Sequence, residues 1–410
     1  MNLTRRTVLY GAAGAACTAG SLAVLGNAPF AFANTPMDRR LVVVILRGGA
    51  DGLAMVPAPG DPDFFQRRQG LINRERDNNP IDLDGFFALH HGLTGLAGLW
   101  AKKQLLVVHA AQTGYRDRSH FDAQDLLESG LDRVSALADG WLNRALGYFG
   151  AQDPKAGLAV GYGTPLILQG STPITSWAPR VLARPDPEFL NRLVAMSSRD
   201  KAIGKALNQG IKVEKANRER LGHLETASLE RGGATNARQA ITTLAKAAGR
   251  LLSADHGARV AALNIGGWDT HGYQNTSLSY RMPLLDGALM ALKDGLGDGP
   301  GGAWSNTMVM VVTEFGRTAV PNGTNGTDHG TGSAVLLLGG AVQGGRVISD
   351  WPGLGKKDLY QGRDLMPTMD MRAVFKGVLL DHLGLDHGFV EDNVFPHSQR
   401  LDPVQHLVSV

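Results

Sequence analysis

The sequence predicts an α/β fold: a central, mostly parallel sheet with helices on both faces. Two observations carry this. Five short and nearly continuous apolar runs are spaced along the chain: LVVVIL (41–46), LLVVH (105–109), VAALNI (260–265), TMVMVVT (307–313) and AVLLLGG (334–340). Runs of this length, apolar on both faces, suit strands buried between two helical layers. Amphipathic helical patterns lie between them, and strands alternating with helices build a covered sheet.

The chain begins with MNLTRRTVLY, which places Arg5 and Arg6 ahead of an uncharged run from Gly11 to Leu25, with small residues at Ala31 and Ala33. A positive start, a short apolar middle and a small-residue cleavage site make residues 1–33 a signal peptide. The paired arginines point to twin-arginine export, so a periplasmic or extracellular location is expected. The apolar run is shorter than the roughly 20 residues a membrane span requires, so no stable span is expected after cleavage. The sole cysteine, Cys17, falls in this leader. The mature chain therefore has no disulfide, no thiolate ligand and no cysteine nucleophile.

Residues 34–410 are expected to form a single domain. SHFDAQDLLESG reads as a helix starting at Ser119, a good N-cap, and ending at Gly130. ARQAITTLAKAAGRLL places Ile241, Leu244, Leu251 and Leu252 on one face, and SYRMPLLDGALMALKDGL and DMRAVFKGVLLDHLGL supply two more helices. A charged, helix-prone stretch at about 186–235 is expected to be an exposed helical insertion, and residues 72–85 a polar loop. Removing Arg5 and Arg6 with the leader lowers the formal net charge from +3 to about +1. No basic stripe stands out, so nucleic acid is not an expected partner.

The chemistry is expected beyond the carboxyl ends of the strands, where open α/β sheets bind ligands. RGGADGL, with Arg47 and Asp51, follows the first run. GGWDTHG, with Asp269 and His271, follows the third, and EFGRT, with Glu314 and Arg317, follows the fourth. GTDHGTG, with Asp328 and His329, precedes the last. Carboxylates and imidazoles without thiolates suit a divalent ion such as Zn, Mn or Ca. Ser119 at a helix start would be the nucleophile, and Arg47 or Arg317 would hold an anionic ester. Each residue also has a plain structural reading. Asp51 and Asp328 suit tight turns, Glu314 and Arg317 an ion pair, and Ser119 a simple cap. His90 and His91 read as a loop pair, and His256, His382, His387 and His397 have no constellation around them.

Taken together, RGGADGL, RSHFDAQDLLESG, GGWDTHGYQ, TEFGRT, NGTDHGTGSAVLLLGG and DMRAVFKGVLLDHLGL resemble a bacterial family of twin-arginine-exported proteins, domain of unknown function 1501. That family is similar in turn to the alkaline phosphatase and sulfatase superfamily. The wider resemblance implies metal-ligand roles for Asp51, Asp269, His271 and His329, and a nucleophile at Ser119. It places Glu314-Phe315-Gly316 where those enzymes have Asp-His-Gly, so Phe315 stands where an imidazole is expected. A second register lays Asp328 and His329 over that motif instead. The Cys-x-Pro-x-Arg run of most sulfatases is missing, which argues against a formylglycine mechanism.

The expected function is an exported metal-dependent hydrolase or transferase acting on a phosphate or sulfate ester. Asp51 and Glu314 would hold one ion, and Asp269, His271 and His329 another, with Asp328 as a further candidate ligand. The alternative is a secreted binding or assembly protein on the same scaffold, whose protein partner would meet the helical insertion.

Overall fold

The computed structural model describes residues 38–71, 79–135, 139–150, 156–161, 163–178, 194, 210–211, 237–255 and 257–409. The expected signal peptide, Cys17, His256 and most of the expected insertion at 186–235 lie outside the described residues. The chain divides into two compact units, one of Met1–Phe32 with Pro179–Gly232 and one of Ala33–Ala178 with Gly233–Val410. The second unit carries the sheet.

Its strands are β1 (Arg40–Leu46), β2 (Ile81–Asp82), β3 (Ala88–Leu89), β4 (Leu105–Gln112), β5 (Gly157–Val160), β6 (Thr175–Trp177), β7 (Val260–Ile265), β8 (Thr307–Thr313), β9 (Ser333–Leu338), β10 (Arg346–Ile348) and β11 (Met369–Asp370). Its helices include α1 (Gly52–Met55), α2 (Phe64–Arg67), α3 (Thr94–Ala101), α4 (His120–Ser129), α5 (Trp141–Gly147), α6 (Ala237–Ser253), α7 (Gln274–Leu296) and α8 (Met371–Gly377). β2 and β3 form a separate small ribbon. The main sheet runs β10-β4-β9-β8-β1-β7-β5-β6, and β11 pairs with the far end of β4. All its pairings are parallel except those of β9, which runs antiparallel to β4 and β8. The expected mostly parallel, helix-covered sheet is the one found, and all five apolar runs are strands in it.

β1 is central because every one of its residues is buried. Leu41, Val43 and Ile45 point into a core shared with Trp141, Phe375 and Phe395, where the Trp141 and Phe375 rings stack at 5.0 Å. On the chain beyond β7, α7 packs closely on α6. A Cβ at Gly249 would lie 2.4 Å from the carbonyl oxygen of Leu292, so only glycine permits that approach. Among the described residues, no helix is long and apolar enough to cross a membrane.

Local differences from expectation have physical causes. β4 does not stop at His109 but continues to Gln112 through an irregularity between Val108 and Ala111, with Ala110 at φ +53°. His109 is fully buried there: its Nδ1 accepts from Ala110 N–H, so Nε2 donates to the Val56 carbonyl at 2.8 Å. Ser119 occupies the N-cap position of α4, but its hydroxyl makes no capping bond. The last expected helix is α8 followed by a π turn over Val378–His382. β5, β6, β10 and β11 were not expected. Each has two to four residues, too few to show a period.

This topology sets up one rim. β1, β4, β7 and β8 end there because they are parallel or joined through β9, and antiparallel β9 begins there at Ser333.

Candidate metal centre

Three histidines and a carboxylate meet at that rim. Asp269 and His271 come from the loop after β7, His329 from the loop before β9, and His120 from the first turn of α4 beyond β4. The Nε2 atoms of His120 and His329 are 3.0 Å apart, as are those of His271 and His329. Oδ1 of Asp269 lies 3.0 Å from His271 Nε2, 3.2 Å from His329 Nε2 and 3.7 Å from His120 Nε2. The donor atoms of His120, Asp269 and His329 all lie within 4.8 Å of one another.

Each imidazole is oriented from behind. His120 Nδ1 donates to Oε1 of Glu314 at 2.8 Å. His329 Nδ1 donates to the Arg118 carbonyl at 3.0 Å, and His271 Nδ1 faces Oδ1 of Asp328 at 3.4 Å. A carbonyl or carboxylate oxygen can only accept, so each Nδ1 carries a proton, and in the neutral rings the Nε2 lone pairs face one another. Lone pairs at 3.0 Å repel unless a proton or a metal cation lies between them. Two nitrogens on one tetrahedral ion, each about 2.0–2.1 Å away, stand about 3.3 Å apart. The donor chemistry and spacing thus fit a divalent ion held by imidazole and carboxylate, with outer partners fixing each ring.

The electrostatics differ from ring to ring. The bond to Glu314 raises the pKa of His120 above the ordinary imidazole value, outweighing burial. Burial, then the charges of His120 and Arg317, lower that of His329 and favour its neutral form. Burial works to raise the pKa of Glu314, but hydrogen bonds from His120 and Gln124 win and bring it to about 2. Burial likewise opposes ionisation of Asp269, and Arg317 overcomes it.

Several expected residues take other places. Asp51 is not at the centre. It is 1% exposed, pairs with buried Arg68, accepts from Gln274 Nε2 and caps α1 through Ala54 N–H. Arg47 pairs with Glu128 at 2.6 Å and donates to Asn264, away from the centre. Arg317 is at the centre but fully committed. Its nitrogens donate to Gly49 O, Thr327 O, Trp268 O and Asp269 Oδ1, so it fixes Asp269 and has no free face for an ester. The expected ion pair between Glu314 and Arg317 does not form. Glu314 is fully buried and stands behind His120, also accepting from Gly48 N–H and Gln124. Asp328 stands behind His271 and accepts from Asn322 Nδ2. Ser119 adjoins His120 in sequence, and its hydroxyl lies beside the Tyr115 phenol.

Phe315 is fully buried, and its ring lies 4.8 Å from the His120 ring and 5.0 Å from the His329 ring. It forms an apolar floor beneath both. Two glycines let the ligand loops close. A Cβ at Gly48, at φ +116°, would lie 2.6 Å from Asp269 N, and one at Gly326 would lie 2.2 Å from the His271 carbonyl carbon. The rings of His90 and His91 lie 4.1 Å apart, tilted by 31°, in a loop apart from the cluster. His120 is not singled out by sequence because the adjacent Ser119 has the look of the functional residue at that helix start. Its signal is an imidazole at the first helical position beyond a buried strand.

No curated protein is significantly similar to the chain in sequence. Among solved structures, it is similar to phosphonate monoester hydrolase of Agrobacterium radiobacter, at 12% identity and a TM-score of 0.38, over 85% of this chain and 74% of that one. It is also similar to alkaline phosphatase from the Antarctic bacterium TAB5, at 12% identity and a TM-score of 0.36, over 76% of this chain and 94% of that one. A third is Ps i-CgsB in complex with k-i-k-neocarrahexaose, at 9% identity and a TM-score of 0.39, over 76% and 68% of the two chains. The family described as protein of unknown function (DUF1501) matches residues 97–395. That match spans most of the chain and includes every residue of the rim cluster, and the protein belongs to the DUF1501 family.

Proposed function

We propose that this protein is an exported, metal-dependent hydrolase or transferase of a phosphate or sulfate ester, with one divalent ion held by His120, Asp269, His271 and His329. The observation that carries the reading is the set of facing Nε2 atoms, each ring pinned at Nδ1 by a separate partner. When bound, such an ion polarises an ester oxygen and lowers the pKa of a nearby hydroxyl. Phe315 supports a single ion, because an apolar ring fills the space beneath His120 and His329.

The chain's own residues supply the rest. Ser119, whose hydroxyl is not spent on a helix cap, is the nucleophile in this reading. Arg317 and Arg47 are committed elsewhere, so the anionic oxygens fall to Arg363. Its side chain is 45% exposed, donates to the His329 carbonyl and pairs with Asp364. A planar guanidinium at that edge suits bidentate binding of a phosphate or sulfate group. Arg5, Arg6 and the small-residue cleavage site support export.

The test is a panel of aryl phosphate, phosphodiester and sulfate esters, assayed with and without added divalent ions, on the native chain and Ser119→Ala. Metal-dependent turnover by the native chain alone supports the reading. Equal turnover by both proteins removes Ser119 from it. A metal-free protein that hydrolyses nothing leaves the binding-protein alternative.

A further inference from the structure

Gln274 is fully buried at the first position of α7, and both ends of its amide are hydrogen-bonded. Its Nε2 donates to Oδ2 of Asp51 at 2.6 Å. Its Oε1 accepts from the Thr270 hydroxyl at 2.8 Å and from the Thr327 hydroxyl at 2.5 Å. The amide orientation is fixed by chemistry, since an ionised carboxylate only accepts and the two hydroxyls donate. Thr270 stands between Asp269 and His271, and Thr327 precedes Asp328 and His329. One amide therefore ties together both loops that carry donors to the rim cluster.

The strut continues inward. Asp51 pairs with Arg68, which donates in turn to the Thr318 carbonyl. Thr270, Thr327, Asp51 and Arg68 are each buried. Backbone bonds run alongside: Thr327 N–H donates to Thr270 O, and Tyr273 and Gln274 N–H donate to Thr324 O and Asn325 O. Buried hydrogen bonds of this kind are rigid and specific, and removing their hub leaves several groups unpaired at once.

We propose that Gln274 is a positioning residue that clamps the 269–271 and 327–329 loops in register, and so sets the spacing of Asp269, His271 and His329. It touches neither ion nor substrate. This inference rests on the metal-centre reading for its effect on ion binding, but not for its effect on the loops.

The test uses Gln274→Met, which keeps length and removes all three bonds, and Thr327→Val, which keeps shape and removes one. Ion affinity is measured by competition with a chromophoric chelator, and the geometry by the visible spectrum of the cobalt-loaded protein. Gln274→Met is expected to bind the ion at least about tenfold more weakly, with a changed cobalt spectrum. Thr327→Val is expected to fall between it and the native chain. Amide exchange at Tyr273, Gln274 and Thr327 is read on the same proteins and is expected to speed up in Gln274→Met. If the native chain takes up no ion, the metal reading fails and exchange alone decides the clamp. If Gln274→Met does not fold, Thr327→Val supplies the comparison. Native affinity, spectrum and exchange in the folded variants would overturn the proposal.

Discussion

Glu314 accepts a hydrogen bond from His120 Nδ1 at 2.8 Å while fully buried at the end of β8. The carboxylate that looks like a ligand in sequence thus acts one bond removed, holding the ring whose far nitrogen faces the centre. Such outer partners are worth about 10–100-fold in metal affinity. Glu314→Gln keeps the shape and loses the charge, so it is expected to bind a divalent ion at least about tenfold more weakly with one-to-one stoichiometry intact. Chelator competition checks this, and native affinity would show that Glu314 is only packing.

Asp51 behaves differently. Its partner Arg68 is 1% exposed and would be left as a buried, unpaired cation in Asp51→Ala. Breaking a buried pair from one side costs about 3–5 kcal/mol. The variant is expected to lose that much unfolding free energy in denaturant titrations, yet still take up one ion per folded chain at saturation. Loss of the ion from a folded Asp51→Ala would put Asp51 back among the ligands.

His109 and His382 give the fold a pH dependence of their own. Both are buried, and burial lowers each pKa from 6.5 to about 4. Between those values the unfolded chain binds protons that the folded chain refuses, so stability rises with pH across that window. The contribution is fully present above pH 6.5 and is lost as pH falls toward 4. Each site accounts for on the order of 3 kcal/mol. His382 Nε2 donates to the Arg40 carbonyl at 2.8 Å, a bond that a glutamine amide can replace. His382→Gln should therefore flatten the slope of unfolding free energy between about pH 4.5 and 6.5, measured in chelator. An unchanged slope would remove His382 as a source.

Arg363 should separate substrate binding from ion binding. Arg363→Ala is expected to raise KM for an anionic ester by about tenfold or more, since charge-assisted bonds are worth about 1.5–3 kcal/mol. The ion content should stay native. Equal KM in both proteins would leave the anionic group without its proposed partner.

Much of the sheet was legible because β1, β4, β8 and β9 are buried throughout and β7 is buried at all but Asn264, which forces nearly continuous apolar runs. The edge strands were not, because three-residue β6 carries Thr175 and Ser176 and leaves no pattern to read. At the rim, the loops carrying Asp269, His271 and His329 were recognisable, since glycines and paired acid–imidazole motifs mark them. The roles of Glu314, Arg317 and Asp51 were not. Each depends on a partner far away in sequence, and a carboxylate beyond a strand looks the same whether it meets an ion, an imidazole or an arginine. His120 shows the reverse error, since its partner Glu314 lies 194 residues on and nothing local announces the pairing.

The most direct test is elemental analysis of the purified protein, beside a His120→Ala, His329→Ala double variant. Close to one divalent ion per native chain and none in the folded double variant are expected. A native chain that carries no ion and takes up none from solution would contradict the metal-centre reading.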